Sequence, residues 1–187
     1  MTVMLTGTRV ALVIAKGVEA ETLATLRERL EAVSAEVELL APEAGAVATW
    51  KDEDWTGPAE ADGALAEATP AAFEAIVVPD GVLSCEALLA CTPCLDFLRE
   101  ARRQGVLIAT IGRSAALLSE IGEVAERKVT GHAGLRRDLE HGGATWVDEP
   151  LVKDEAILTA SGGAALPALC DALIAYLVER QPFLASS

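Results

Sequence analysis

Gly105-Val106-Leu107-Ile108-Ala109-Thr110-Ile111-Gly112-Arg113-Ser114 is an apolar, β-branched run that stops at a glycine. The helical pattern Ser114-Ala115-Ala116-Leu117-Leu118 follows at once. A buried strand that turns sharply into a helix is where α/β proteins lift a reactive side chain above the sheet. Here the turn residue is Gly112, which has no side chain to present.

Working outward, the same alternation recurs. Arg9 to Ala15 and Ala75 to Val78 read as buried parallel strands, and Glu36 to Leu40 as a strand closed by Pro42. Leu23, Leu26, Leu30 and Val33 give Ala20 to Val33 a helical spacing; a second helix is expected from Thr92-Pro93 to Arg103 and a closing one from Ala164 to Arg180. Thr69-Pro70 has the look of a helix start. Ala46 to Ala64 and Ser84 to Ala90 read as loops, and 128–160 as small strands with one helix near Leu135 to His141. Strands alternating with helices predict a parallel sheet sandwiched between helices. Ligands in such sheets sit beyond the carboxyl ends of the strands, where the winding reverses. Lys16 to Glu21, Pro79 to Glu86 and Gly112 to Ala115 are therefore expected to meet at one site.

Bulk properties narrow the function. A chain of 187 residues fits a single domain, 1–187, with residues 1–8 and 181–187 as flexible ends. The net charge of −14, from 15 basic and 29 acidic residues, argues against nucleic acid or an anionic membrane as partner. No apolar run approaches the roughly 20 residues that span a bilayer. With no basic-then-apolar start and only four cysteines, the expected location is the cytoplasm.

Taken together, the three loops resemble the DJ-1/PfpI superfamily, and particularly its bacterial general-stress branch. Gly17-Val18-Glu19 resembles the family's Gly-Phe-Glu segment, and Val77-Val78-Pro79-Asp80-Gly81 its Leu-Pro-Gly-Gly turn. Trp50 to Trp55 resembles a Trp-Asp-His-Thr-Asp-Trp loop, and Gly143 to Asp148 a Gly-Ala-Glu-Trp-Val-Asp segment. The likeness runs from about Arg9 to Leu177. It implies a flavodoxin-like fold related to glutamine amidotransferase domains, no cofactor and no metal, and a homodimer or higher homo-oligomer. It also implies that Glu19 faces the nucleophile's position, that Gly81 offers an oxyanion-hole amide and that Glu86 reaches a neighbouring subunit's site.

The departures from the pattern decide the functional expectation. The family's Ile-Cys-His-Gly elbow reads Ile111-Gly112-Arg113-Ser114, so the nucleophile and its histidine are missing. The first turn glycine is Asp80, and the late Ser-Arg-Lys-Pro-Asp-Asp segment is Ala160 to Ala165. A glycine elbow is similar to the non-catalytic domains at the C-terminus of large-subunit catalases. The expectation is a degenerate, stress-associated protein acting by assembly or by binding a small ligand. Without a thiolate, Glu19 is expected to pair with Arg113. Amides at the Ser114 helix start, with Arg113 beside them, form a candidate cradle for a small anion that Glu19, Asp80 and Glu86 oppose; the candidate ligand-binding residues are Glu19, Gly81, Glu86, Arg113 and Ser114.

Other readings stay open at this point. An enzyme with a relocated nucleophile would use Cys85 or Ser114. Gly112-Arg113-Ser114-Ala115-Ala116, with Asp138 and His141 downstream, has the order of a serine-hydrolase triad but lacks the second elbow glycine. Cys91-Thr92-Pro93-Cys94 has thioredoxin-like spacing. Cys85, Cys91 and Cys94 lack a fourth zinc ligand nearby in sequence. His132 reads as a packing or surface residue, and Trp50 and Trp55 as packing anchors.

Overall fold

The computed structural model describes residues 4–181. In chain order the elements are β1 (Arg9–Val13), β2 (Val18–Glu19), α1 (Ala20–Glu31), β3 (Glu36–Ala41), β4 (Gly45–Lys51), β5 (Asp54–Ala61), β6 (Gly63–Ala64) and β7 (Ala75–Val78). There follow α2 (Val82–Leu89), α3 (Thr92–Arg103), β8 (Leu107–Ile111), α4 (Ala115–Glu120), β9 (Lys128–Val129), α5 (Arg136–His141), β10 (Thr145–Trp146), β11 (Leu151–Asp154), β12 (Ile157–Ala160) and α6 (Leu166–Arg180).

Seven strands form the central sheet in the order β11-β12-β8-β7-β1-β3-β6. All neighbours are parallel except β11, which runs against β12. The strands are apolar on both faces because both are covered, as parallel sheets require. Alternate residues supply the two layers. Val10, Leu12, Val77, Leu107, Ala109 and Ile111 pack with Leu23, Leu26 and Leu30 of α1 and Leu169 and Leu173 of α6. Ala11, Val13, Ile76, Val78 and Ile108 pack with Leu88, Phe97, Leu98, Leu117 and Leu139 of α2 to α5. The fold is an α/β flavodoxin-like sandwich, as the alternation predicts.

The chain leaves β1 for β3 on one side and later returns to β7 on the other, so the winding reverses between β1 and β7. The carboxyl ends of β1, β7 and β8 therefore open the crevice where such sheets hold ligands.

Several expectations are corrected. The stretch from Ala46 to Ala64 is no loop: β4 and β5 pair antiparallel across an Asp52-Glu53 turn, and with β2 make a separate three-stranded sheet. Ser84 to Ala90 falls in the helix α2 and its cap rather than in a loop. Thr69-Pro70 starts only one short turn, Pro70–Ala72. Within the expected N-terminal tail, Leu5 is fully buried and its N–H donates to the Val33 carbonyl. At the other end the Gln181 side chain donates to the Met4 carbonyl. Of the residues expected to be flexible, 1–3 and 182–187 lie outside the described residues.

Candidate functional site

The three loops meet as expected. The Glu19 backbone N–H donates to the Asp80 carbonyl at 3.1 Å, which ties β2, on the segment leaving β1, to the turn after β7. Gly81 makes this approach possible: a Cβ there would lie 2.6 Å from the Gly17 carbonyl oxygen. Ser114 ties β7 to β8. Its hydroxyl accepts from Ile111 N–H at 2.8 Å and donates to the Val78 carbonyl at 2.7 Å, and it is fully buried. This hydroxyl is committed to holding the elbow and faces no open space. Asp138 and His141 are exposed on α5, so no triad with Ser114 exists.

The elbow itself carries the main finding. Gly112 has φ +59°, a left-handed conformation that is strained for a residue with a Cβ. A Cβ built on it would stand 2.0 Å from Asp80 Oδ2 and 2.6 Å from Asp80 Cγ. The space an elbow side chain would take is filled by the Asp80 carboxyl group. That group is anchored: Asp80 Oδ1 accepts from Gly81 N–H at 2.8 Å and from Arg113 N–H at 3.1 Å. The amides expected to cradle a small anion thus already hold a carboxylate of the chain itself. In the sequence Asp80 reads as a departure from glycine and as a charge opposing an anion, not as the group that fills the elbow. The signal was the pairing of two departures, a side chain gained at 80 and one absent at 112.

Glu19 is half-buried, and its Oε2 accepts from the Thr22 hydroxyl at 3.1 Å. Burial, first, and then the Asp80 charge hold its carboxyl above the ordinary glutamate value; the Thr22 bond and the Arg113 charge oppose this. The expected Glu19–Arg113 pair is not formed. Arg113 Nη2 instead stands 3.3 Å from His132 Nε2. Gly134 N–H stands 3.1 Å from His132 Nδ1. Arg113 and Gly134 thus both aim donors at the ring, and a neutral imidazole accepts only one of them, the tautomer deciding which. His132 also donates its backbone N–H to the Gly112 carbonyl at 3.0 Å, which places it in the site and not merely on the surface.

Cys85, on the second turn of α2, is buried, and its thiol is pushed up to about 12 by burial and by the Asp80 charge, with Arg113 pulling the other way. A thiol held neutral at physiological pH is a poor nucleophile. Glu86, the next residue, is exposed. Asp80, Glu19 and Glu86 together give this end of the sheet a negative field. Beside Glu19 a hollow of about 280 Å³ is lined by Glu21, Trp50, Lys51, Asp52 and Glu53 of α1 and the β4–β5 hairpin. Its cation is already used, because Lys51 Nζ lies 2.7 Å from Glu21. Among the described residues no group of His, Cys, Asp and Glu side chains is arranged to hold a metal ion, and no helix is long and apolar enough to cross a membrane.

The DJ-1/PfpI family profile matches residues 8–176. This chain belongs to the DJ-1/PfpI family. It is similar to the protein named Deglycase PfpI of Pyrococcus furiosus, 30% identical over 88 residues, which cover 47% of this chain and 52% of that protein. It is also similar to Glutathione-independent glyoxalase DJR-1.2 of Caenorhabditis elegans, 30% identical over 101 residues, or 54% and 53% of the two chains. In each case the match spans about half the length of the relative. Among solved structures, a DJ-1 superfamily protein from Salmonella typhimurium, crystallised as a Cys-to-Ala mutant, is 25% identical with TM-score 0.81 over 92% of this chain and 91% of that one. A ThiJ/PfpI domain protein from Brachyspira murdochii shares the fold with TM-score 0.85 at 17% identity, over 94% and 99% of the chains.

Proposed function

We propose that this chain is a DJ-1/PfpI-family protein without nucleophilic chemistry, a cytoplasmic stress-associated protein that works by assembling into homo-oligomers or by binding a small ligand. The observation that carries this reading is the Asp80 carboxyl group, seated where an elbow side chain would stand and held by two amides. A covalent mechanism needs a nucleophile facing the substrate and a base to activate it. The space above Gly112 holds a carboxylate with one oxygen already bonded twice. Ser114 is locked inside the turn, and Cys85 is buried and protonated.

Assembly is supported by an exposed apolar cluster. Trp55, Val82 and Leu83 are 43%, 50% and 44% exposed. Leu83 lies against Gly17, and the ammonium of the adjacent Lys16 sits over the Trp55 ring. Patches of this kind on a soluble domain mark interaction surfaces. For ligand binding, the filled cradle and the negative field turn the preference away from anions, against the expectation from the elbow amides alone.

The test is turnover. Purified protein is incubated with methylglyoxal-type aldehydes and with peptide and amide substrates, alongside Cys85→Ala, Ser114→Ala and Asp80→Ala. No turnover by any form is expected. Turnover abolished by one of these substitutions overturns the reading and supports an enzyme with a relocated nucleophile, the reading that the names of the deglycase and glyoxalase relatives favour.

A further inference from the structure

Cys91-Thr92-Pro93-Cys94 lies outside the Gly112 site and has no part in the reading above. The structure makes it the first turn of α3. Cys91 is the N-cap, with extended backbone (φ −95°, ψ 100°), and Thr92, Pro93 and Cys94 are the first three helical residues. Pro93 costs the helix nothing there, since the first-turn amides have no intrahelical partner. N-cap and third residue are neighbours across a first turn, close enough that in a capping box each side chain reaches the other's backbone N–H. Cys91 makes no side-chain bond to the helix amides, so its thiol is free to turn toward Cys94. Side chains three residues apart on a helix have Cβ atoms about 5–6 Å apart, against about 3.5–4.5 Å in a disulfide. A small rotation at the N-cap, whose backbone is outside the helix, closes that gap.

The two sulfurs have different surroundings. Cys94 is fully buried in the core beside Leu98 and Phe97, and burial pushes its thiol up to about 12, with Cys91 adding to the rise. Cys91 is partly buried, packed against the same core cluster. Pro93, between them, lines an open cleft of about 380 Å³ with Pro70, Asp96, Phe97 and Glu100, a cleft that neither cysteine lines, so any exchange reaches the pair through the exposed part of Cys91. The pair follows α2, not a strand, so the surroundings differ from a thioredoxin-type turn. Cys85 and Cys170, by contrast, are single buried thiols on other helices.

We propose that Cys91 and Cys94 form a reversible intramolecular disulfide by exchange with a small-molecule disulfide. The Cys91 sulfur, having lost its proton to solvent, attacks one sulfur of the oxidant; that S–S bond breaks and one reduced thiol leaves with a proton. Cys94 then gives up its proton and attacks the Cys91 sulfur of the mixed disulfide, releasing the second reduced thiol. Two protein thiols are oxidised and one small disulfide is reduced to two thiols, so electrons and protons balance.

The probe is oxidised glutathione, added to the full-length native protein, with acid quenching, intact mass and peptide mapping. The wild type is expected to lose the mass of two hydrogens in the peptide holding both cysteines, and to regain it with dithiothreitol. Cys94→Ser is expected to stop at one glutathione on Cys91, and Cys91→Ser to leave Cys94 unmodified. Three results overturn the proposal: wild-type Cys91 and Cys94 both staying reduced, a glutathione adduct persisting on wild-type Cys91, or Cys91 pairing with Cys85. The wild-type measurement stands on its own if either variant fails to fold.

Discussion

Asp80 and Gly112 act as a complementary pair, since the volume absent at one position is filled from the other. Gly112→Cys must therefore adopt a left-handed backbone and displace a carboxylate held by two amides. A strained backbone of this kind costs about 1–3 kcal/mol, and each kcal/mol lowers the melting temperature of a domain this size by about 2–4 °C. Calorimetry is expected to show a fall of several degrees for Gly112→Cys, with part of it recovered when Asp80→Gly is added. Equal melting temperatures for the single variant and the wild type would show that the hollow is open. Glu19 supplies a second test. Its folded carboxyl binds a proton more tightly than the unfolded chain does, so this group's effect on stability worsens as pH rises from the ordinary value near 4.5 through the raised folded value. Glu19→Gln removes that titration. The melting temperature of the variant relative to wild type is expected to climb from acid toward neutral pH, and a difference flat with pH would refute the burial of this carboxyl.

At the scale of elements, the legible parts were those whose pattern is imposed locally. Long apolar runs made β1, β7 and β8 visible, three-four spacing made α1 visible, and the Thr92-Pro93 start marked α3. The β4–β5 hairpin was hidden because its turn lacks the Asn-Gly signature. Asp52 and Glu53 take φ +50° and +63°, the doubly left-handed turn that joins strands of natural twist, and the Trp50 and Trp55 rings meet edge to face across it at 4.9 Å. Tertiary pairing holds two poorly suited residues in that turn. Asp52→Asn with Glu53→Gly is expected to stabilise the protein by about 0.5–1 kcal/mol, read as a melting temperature higher by about 1–4 °C. No gain would mean that the turn is not of this type. The helix α2 was hidden for another reason. Val82 and Leu83, apolar yet half-exposed, break the two-faced pattern by which a surface helix announces itself.

Across the whole molecule, those same residues carry the assembly prediction. Val82→Glu with Leu83→Glu places two charges on the exposed cluster at the start of α2, where acidic residues suit the helix dipole and the fold is unharmed. Sedimentation is expected to report an oligomer for the wild type and a smaller species for the double variant, at unchanged helix content. An unaltered mass would remove this face from the interface. The sequence by itself determined the layer architecture, the meeting of three distant loops and the glycine at the elbow. Alternating buried strands and helices admit few windings, and an absent side chain is legible in one residue. Only the tertiary structure decided what fills the hollow, where Arg113 turns, and that Ser114 and Cys85 are closed off. Those outcomes depend on distances of a few ångströms between residues 19 to 36 positions apart in the chain, which no local pattern encodes.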